Sequence, residues 1–102
     1  MKNRAEIEQV LKRHRKELEI EFGVKELGLF GSYVRNEQNG KSDVDILAEF
    51  EHPISLFRFI DLKERLSQIV ECRVDLVTKK GLKPFIGRQI LSEVVYIYDS
   101  AI

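Results

Sequence analysis

Three aspartates carry the most distinctive chemistry in this sequence. Asp43 and Asp45 are one residue apart in DVDILAEF, residues 43 to 50, and Asp75 sits inside RVDLVT, residues 73 to 78. Both segments are rich in β-formers and read as strands. Period-two alternation puts Asp43 and Asp45 on one face, with Cα atoms roughly 6.5 to 7 Å apart. Carboxylates that close raise each other's proton affinity. A divalent cation removes that repulsion, and Mg²⁺ prefers a few carboxylates plus substrate phosphates. If the second strand pairs beside the first, Asp75 points at the same spot. Three convergent carboxylates are the arrangement that holds one or two Mg²⁺ for phosphoryl or nucleotidyl transfer.

Upstream lies Gly31-Ser32, directly after the strand candidate Val24 to Phe30 and before a short helical turn in YVRNE. Glycine lets backbone approach a phosphate closely, and the serine hydroxyl adds a donor. Arg35 lies one turn further on, and a guanidinium suits phosphate oxygens. Taken singly these features are bland: Gly-Ser after a strand is an ordinary turn, and Asp-x-Asp at a strand edge or Asp75 in mid-strand is ordinarily solvated. Their joint order is more specific: strand, Gly-Ser, ten residues, Asp-x-Asp on a strand, helix, strand carrying Asp.

The elements that must position these residues follow from turn signals. Asn3 caps a first helix running to about Glu21, with Ile7, Val10, Leu11 and Leu18 at helical spacing, and Gly23 stops it. Residues 38 to 41 form a loop. Along 43–50, Val44, Ile46, Ala48 and Phe50 make an entirely apolar face. Ser55 caps a helix from Leu56 to Val70, whose buried stripe reads as Leu56, Phe59, Ile60, Leu66 and Ile69. Pro84 opens a helix to about Leu91, and VVYIYD is a fourth strand. The alternation predicts one α/β (α+β) domain over residues 1–102, with helices packed on a small mixed sheet.

Composition narrows the function. The chain has 102 residues, 17 Lys+Arg and 17 Asp+Glu, so its net charge is zero. A nucleic-acid coat or membrane-surface protein would carry excess positive charge. One cysteine excludes an internal disulfide framework and favours a reducing compartment. No apolar run approaches the roughly 20 residues that span a bilayer. The N-terminal ten residues are charged, without a signal-peptide core. A cytoplasmic location is the expectation.

The segment GSYVRNEQNGKSDVDIL resembles the signature of the nucleotidyltransferase superfamily, the fold of polymerase β and kanamycin nucleotidyltransferase. The spacing from Ser32 to Asp43 is similar to the family's Gly-Ser-x10-Asp-x-Asp form. From roughly Lys25 onward, through SLFRFIDLKERL, RVDLVT and the GLKP…IL…VVYIY ending, the chain resembles the minimal nucleotidyltransferase (MNT) antitoxins that accompany HEPN-domain toxins. It departs mildly at Asn36, where such proteins often carry glycine; asparagine tolerates a left-handed turn.

The resemblance implies that Gly31 and Ser32, with Arg35 beside them, bind the triphosphate of ATP. It implies that Asp43 and Asp45 ligate Mg²⁺, two ions in all. Asp75 would be the third carboxylate, helping to hold one metal and to orient or deprotonate the attacking hydroxyl. It also implies transfer of AMP from ATP to a tyrosine of a HEPN ribonuclease toxin, which is thereby silenced. Two rivals differ in class. A catalytically idle antitoxin would keep the fold and mask its toxin, but masking needs no carboxylate trio. A small-molecule transferase would need a second domain to grip its acceptor.

Other residues read more blandly. Residues 12 to 16 (KRHRK) form a basic run balanced by surrounding glutamates, a solvated helix face rather than a nucleic-acid contact. His14 reads as a partly buried packing residue and Cys72 as a small semi-buried one. The two histidines and Cys72 lack zinc-ligand spacing. Tyr96 and Tyr98 are expected to share one face of the last strand in a packing role. One of Lys79, Lys80 and Lys83 is placed to reach a phosphate.

Overall fold

In the computed structural model, residues 3–39 and 41–99 are described, so Gly40 of the expected loop lies outside them. Helix α1 spans Arg4–Arg13. Asn3 closes a capping box with Glu6, each side chain accepting the other's backbone N–H. The expected single helix is two. At His14 the backbone leaves helical geometry (φ −98°, ψ 9°), its Nδ1 lies 2.8 Å from the Val10 carbonyl, and α2 resumes over Arg15–Phe22. Gly23 ends α2 in the left-handed region at φ 67°.

Strand β1 covers Val24–Phe30, and a 3₁₀ turn follows at Gly31–Tyr33. Then come β2 (Val44–Phe50), α3 (Leu56–Val70), β3 (Val74–Thr78), a second 3₁₀ turn (Lys79–Gly81), α4 (Pro84–Glu93) and β4 (Val95–Tyr98). The four strands form one mixed sheet in the order β3-β2-β1-β4. β2 and β3 are parallel, as a strand–helix–strand connection through α3 requires, and the other two pairings are antiparallel. This is the mixed α+β sheet with packed helices that the alternation predicted.

Pleat alternation divides the sheet into two faces. One face buries Val44, Ile46, Ala48, Val74 and Leu76 with Leu27 and Leu29, against Ile7, Leu11 and Leu18 of the N-terminal helices and Leu62, Leu66, Ile69 and Val70 of α3. The other carries a small cluster of Phe30, Leu47 and Ile90, through which α4 covers part of the sheet. Asp45 alternates with Ile46 and so shares the α4 face.

Two packing expectations need correction. In α3, Leu56 and Ile60 are exposed, because the burial line runs through Leu62, Leu66 and Ile69, joined by the partly buried Phe59, and those two lie off it. Tyr96 and Tyr98 do not share a face. The β1–β4 register passes from Leu27↔Tyr98 to Gly28↔Tyr96, a bulge at Ile97 that resets the alternation. Ile97 and Tyr98 are therefore both buried, whereas Tyr96 is exposed.

Candidate active site

β2 and β3 place two of the aspartates directly. In the parallel register Asp45 lies opposite Asp75, on strands about 4.8 Å apart. Asp43 stands one residue ahead of β2 rather than inside it. Hydrogen bonds in the loop fix its approach: Asn39 N–H donates to Ser42 Oγ (2.9 Å), Lys41 N–H to Asn39 Oδ1 (2.8 Å) and Ser42 N–H to the Asn39 carbonyl (3.0 Å). The Val44 N–H then donates to the Arg73 carbonyl at 2.8 Å, tying the loop's exit to the start of β3.

The electrostatics are those of crowded carboxylates. Burial pushes the Asp45 carboxyl up from 3.8 to about 6, and the negative charges of Asp75 and Asp43 push in the same direction, against the Arg35 guanidinium. Arg73 Nε forms an ion pair with Asp43 Oδ1 at 3.1 Å, outside hydrogen-bonding geometry, so that buried oxygen is ion-paired but accepts no hydrogen bond. Hard oxygen donors with mutual repulsion, one of them a buried oxygen that accepts no hydrogen bond, fit a divalent cation in their chemistry. Among the described residues, no three His, Cys, Asp or Glu side chains already stand in a metal-ligating group.

The Gly31-Ser32 turn abuts this cluster. Gly31 has φ +78°, and a Cβ there would stand 2.8 Å from the Asp45 Cγ, so both backbone and space demand glycine. The turn is closed by the Gly31 carbonyl, which accepts from Val34 and Arg35 N–H at 3.1 Å each, and by the Ser32 carbonyl, which accepts from Glu37 N–H at 2.8 Å. Asn36 takes φ 59°, the left-handed conformation its side chain tolerates. Ser32 is half-buried at the start of the turn, where the first N–H groups lack intrahelical partners.

Arg35 stands just past the 3₁₀ turn, not within one helix with Ser32. Its guanidinium donates to Glu37 (Nε, 2.7 Å) and to both oxygens of Glu93 (Nη1, 3.1 and 3.0 Å). Lys79 lies at the opposite end of β2 and β3, where it pairs with Glu26 and Glu49 at 3.3 and 3.7 Å, so it does not reach the aspartates. A concavity of about 230 Å³ lined by Phe50, His52 and Lys79 belongs to that far end. Asp75 is exposed, whereas Asp43 and Asp45 are half-buried beside it.

Two contributors were not singled out from sequence. Tyr33 is 2% exposed, and its hydroxyl lies 3.9 Å from Cys72 Sγ, whose thiol reaches the Ser42 carbonyl at 3.6 Å. This chain joins the Gly-Ser turn to the loop before Asp43. An aromatic directly after Gly-Ser was the available signal. Glu93 accepts from the Gly31 N–H at 3.2 Å. Its one sequence signal was a carboxylate in the last turn of a helix, where the dipole disfavours it.

Residues 11–97 match the nucleotidyltransferase domain family, so the match begins within α1, ahead of Lys25. The protein adenylyltransferase MntA of Thermococcus cleftensis is 53% identical over 92 residues, 90% of this chain and 93% of that protein. A solved toxin–antitoxin structure with AMP-PNP has a similar fold, with a TM-score of 0.72 at 20% identity over 86% of this chain and 73% of the other. The complex of the tri-AMPylated Shewanella oneidensis HEPN toxin with its MNT antitoxin gives 0.66 at 18% identity, over 90% and 72%.

Proposed function

The chain belongs to the nucleotidyltransferase domain family, among relatives of the MntA protein adenylyltransferase, and on that premise we propose that it is an antitoxin that transfers AMP from ATP to a tyrosine of a HEPN-domain toxin. The observation that carries this reading is the register of Asp45 opposite Asp75 beside Gly31-Ser32, with Asp43 at the mouth of the same strand. The relative named as a protein adenylyltransferase, the neighbouring complex with AMP-PNP and the neighbouring AMPylated HEPN toxin support the choice of acceptor and nucleotide.

In this mechanism Ser32, through its hydroxyl and N–H, holds the triphosphate. Arg35 lends positive charge beside it. Asp43, Asp45 and Asp75 would hold Mg²⁺, which when bound neutralises charge developing on the phosphoryl oxygens. Asp75, the most solvent-open of the three along its strand, orients the incoming tyrosine hydroxyl and takes its proton. The oxygen then attacks the α-phosphorus, the bond to the β-phosphate oxygen breaks, and pyrophosphate leaves. Asp75 leaves one side of the cluster open to solvent, where a folded protein acceptor completes the site.

The test is incubation with the HEPN partner, ATP and Mg²⁺. The toxin should gain AMP on a tyrosine, and the combined Asp43→Asn and Asp45→Asn variant should leave it unmodified. AMP transfer at full rate in excess EDTA would refute the metal-dependent reading.

A further inference from the structure

Glu93 closes α4, yet its side chain belongs to the turn at the end of β1. It is 20% exposed. Its Oε1 accepts from the Gly31 N–H at 3.2 Å, and the carboxylate takes both bonds from Arg35 Nη1. One carboxylate thus grips both ends of the segment that displays Ser32, across 62 and 58 residues of sequence. Gly31 needs such a grip. At φ +78° it has the widest conformational choice of any residue, and if the Phe30–Gly31 peptide lost its acceptor, rotation about the Gly31 N–Cα bond would carry the following peptide and the Ser32 N–H with it.

We propose that Glu93 is the positioning residue of the nucleotide site, fixing the Gly31 peptide and the Arg35 guanidinium so that Ser32 meets the triphosphate. This rests on the nucleotidyltransferase reading above. A carboxylate beside a polyanion would repel it, and the Arg35 guanidinium, which also pairs with Glu37, offsets part of that charge in place. The carboxylate therefore has two separable tasks: accepting the Gly31 N–H, and pairing with Arg35. An ordinary latch between α4 and this turn would need no particular division between the two.

Variants separate the two. Glu93→Gln keeps an oxygen for the Gly31 N–H and loses the ion pair; Glu93→Ala loses both. ATP–Mg²⁺ titrations on the full chain, at a temperature where thermal unfolding shows each variant folded, should give about tenfold weaker binding for Glu93→Ala, the loss of one well-made hydrogen bond. Glu93→Gln should stay within about threefold of the native chain. The ¹⁵N–¹H resonance of Gly31 supplies an independent signature: it should shift upfield in Glu93→Ala and hold in Glu93→Gln. If Glu93→Ala does not fold, Glu93→Asp, one methylene short, carries the same expectation. Native affinity in folded Glu93→Ala, or equal loss in both variants in step with their melting temperatures, would overturn the proposal. Failure of the native chain itself to bind ATP–Mg²⁺ would overturn the nucleotidyltransferase reading instead, and the Gly31 resonance would still report on the grip.

Discussion

Replacing Asp45 by asparagine removes a charge that the folded chain holds at a cost. In the unfolded chain this carboxyl titrates near 3.8, and in the folded one near 6. Between those values the folded chain keeps a proton that the unfolded chain has lost. The resulting stabilisation is fully present below pH 3.8 and is lost as pH rises through about 6. About two pH units at 1.36 kcal/mol each set a ceiling of about 3 kcal/mol. Asp45 is only half-buried, so screening by solvent lowers this to about 1 to 2 kcal/mol. The amide of Asp45→Asn is neutral at every pH and can donate to Asp75. In EDTA at pH 8 the variant should therefore be more stable than the native chain by that amount, about 4 to 8 °C in melting temperature per kcal/mol for a chain this size. At pH 4 the advantage should vanish. Urea or thermal unfolding across pH 4 to 8 reads the difference directly, and comparing variant with native cancels the histidines. A variant no more stable than the native chain at pH 8 would refute the carboxylate-crowding argument. The same substitution should abolish AMP transfer.

Other consequences follow from the same geometry. Gly31→Ala must place a methyl against the Asp45 carboxylate at positive φ, so it should lower stability by about 1 to 3 kcal/mol and eliminate ATP binding, read by chemical denaturation and calorimetry. Ser32→Ala should weaken ATP binding by about 1.5 to 3 kcal/mol with an unchanged melting temperature; unchanged affinity would reduce Gly31-Ser32 to a turn. Leu62→Ala, at a fully buried position on α3, should cost about 2 to 5 kcal/mol of folding stability without altering the affinity of the remaining folded protein for ATP.

Local chemistry made much of this structure legible. The caps at Asn3, Gly23 and Ser55 and the apolar alternation of residues 44 to 48 depend on neighbours in sequence, and the element ends they mark fall where those signals placed them, though the break at His14 between Asn3 and Gly23 was not announced. The juxtaposition of Asp45 and Asp75 was conditional on strand pairing, and the parallel register supplies it. Long-range facts were harder to read. The bulge at Ile97 is set by pairing with β1, and no residue of VVYIYD announces it. The exposure of Leu56 and Ile60 in α3 reflects where the core ends, which periodicity does not encode. The engagement of Arg35 by Glu93 joins residues 58 apart, and Lys79 is turned toward Glu26 and Glu49 by its place beyond the end of β3.

The central claim is catalytic neutralisation, and its most direct measurement is a titration of HEPN toxin against limiting amounts of this protein with ATP and Mg²⁺. Toxin mass and ribonuclease activity are followed together. Many toxin molecules should be modified on tyrosine and silenced per antitoxin, and both effects should be lost in Asp75→Ala, whose exposed side chain can be removed without disturbing the core. Neutralisation that requires one antitoxin per toxin, persists in Asp75→Ala and leaves the toxin's mass unchanged would contradict that claim.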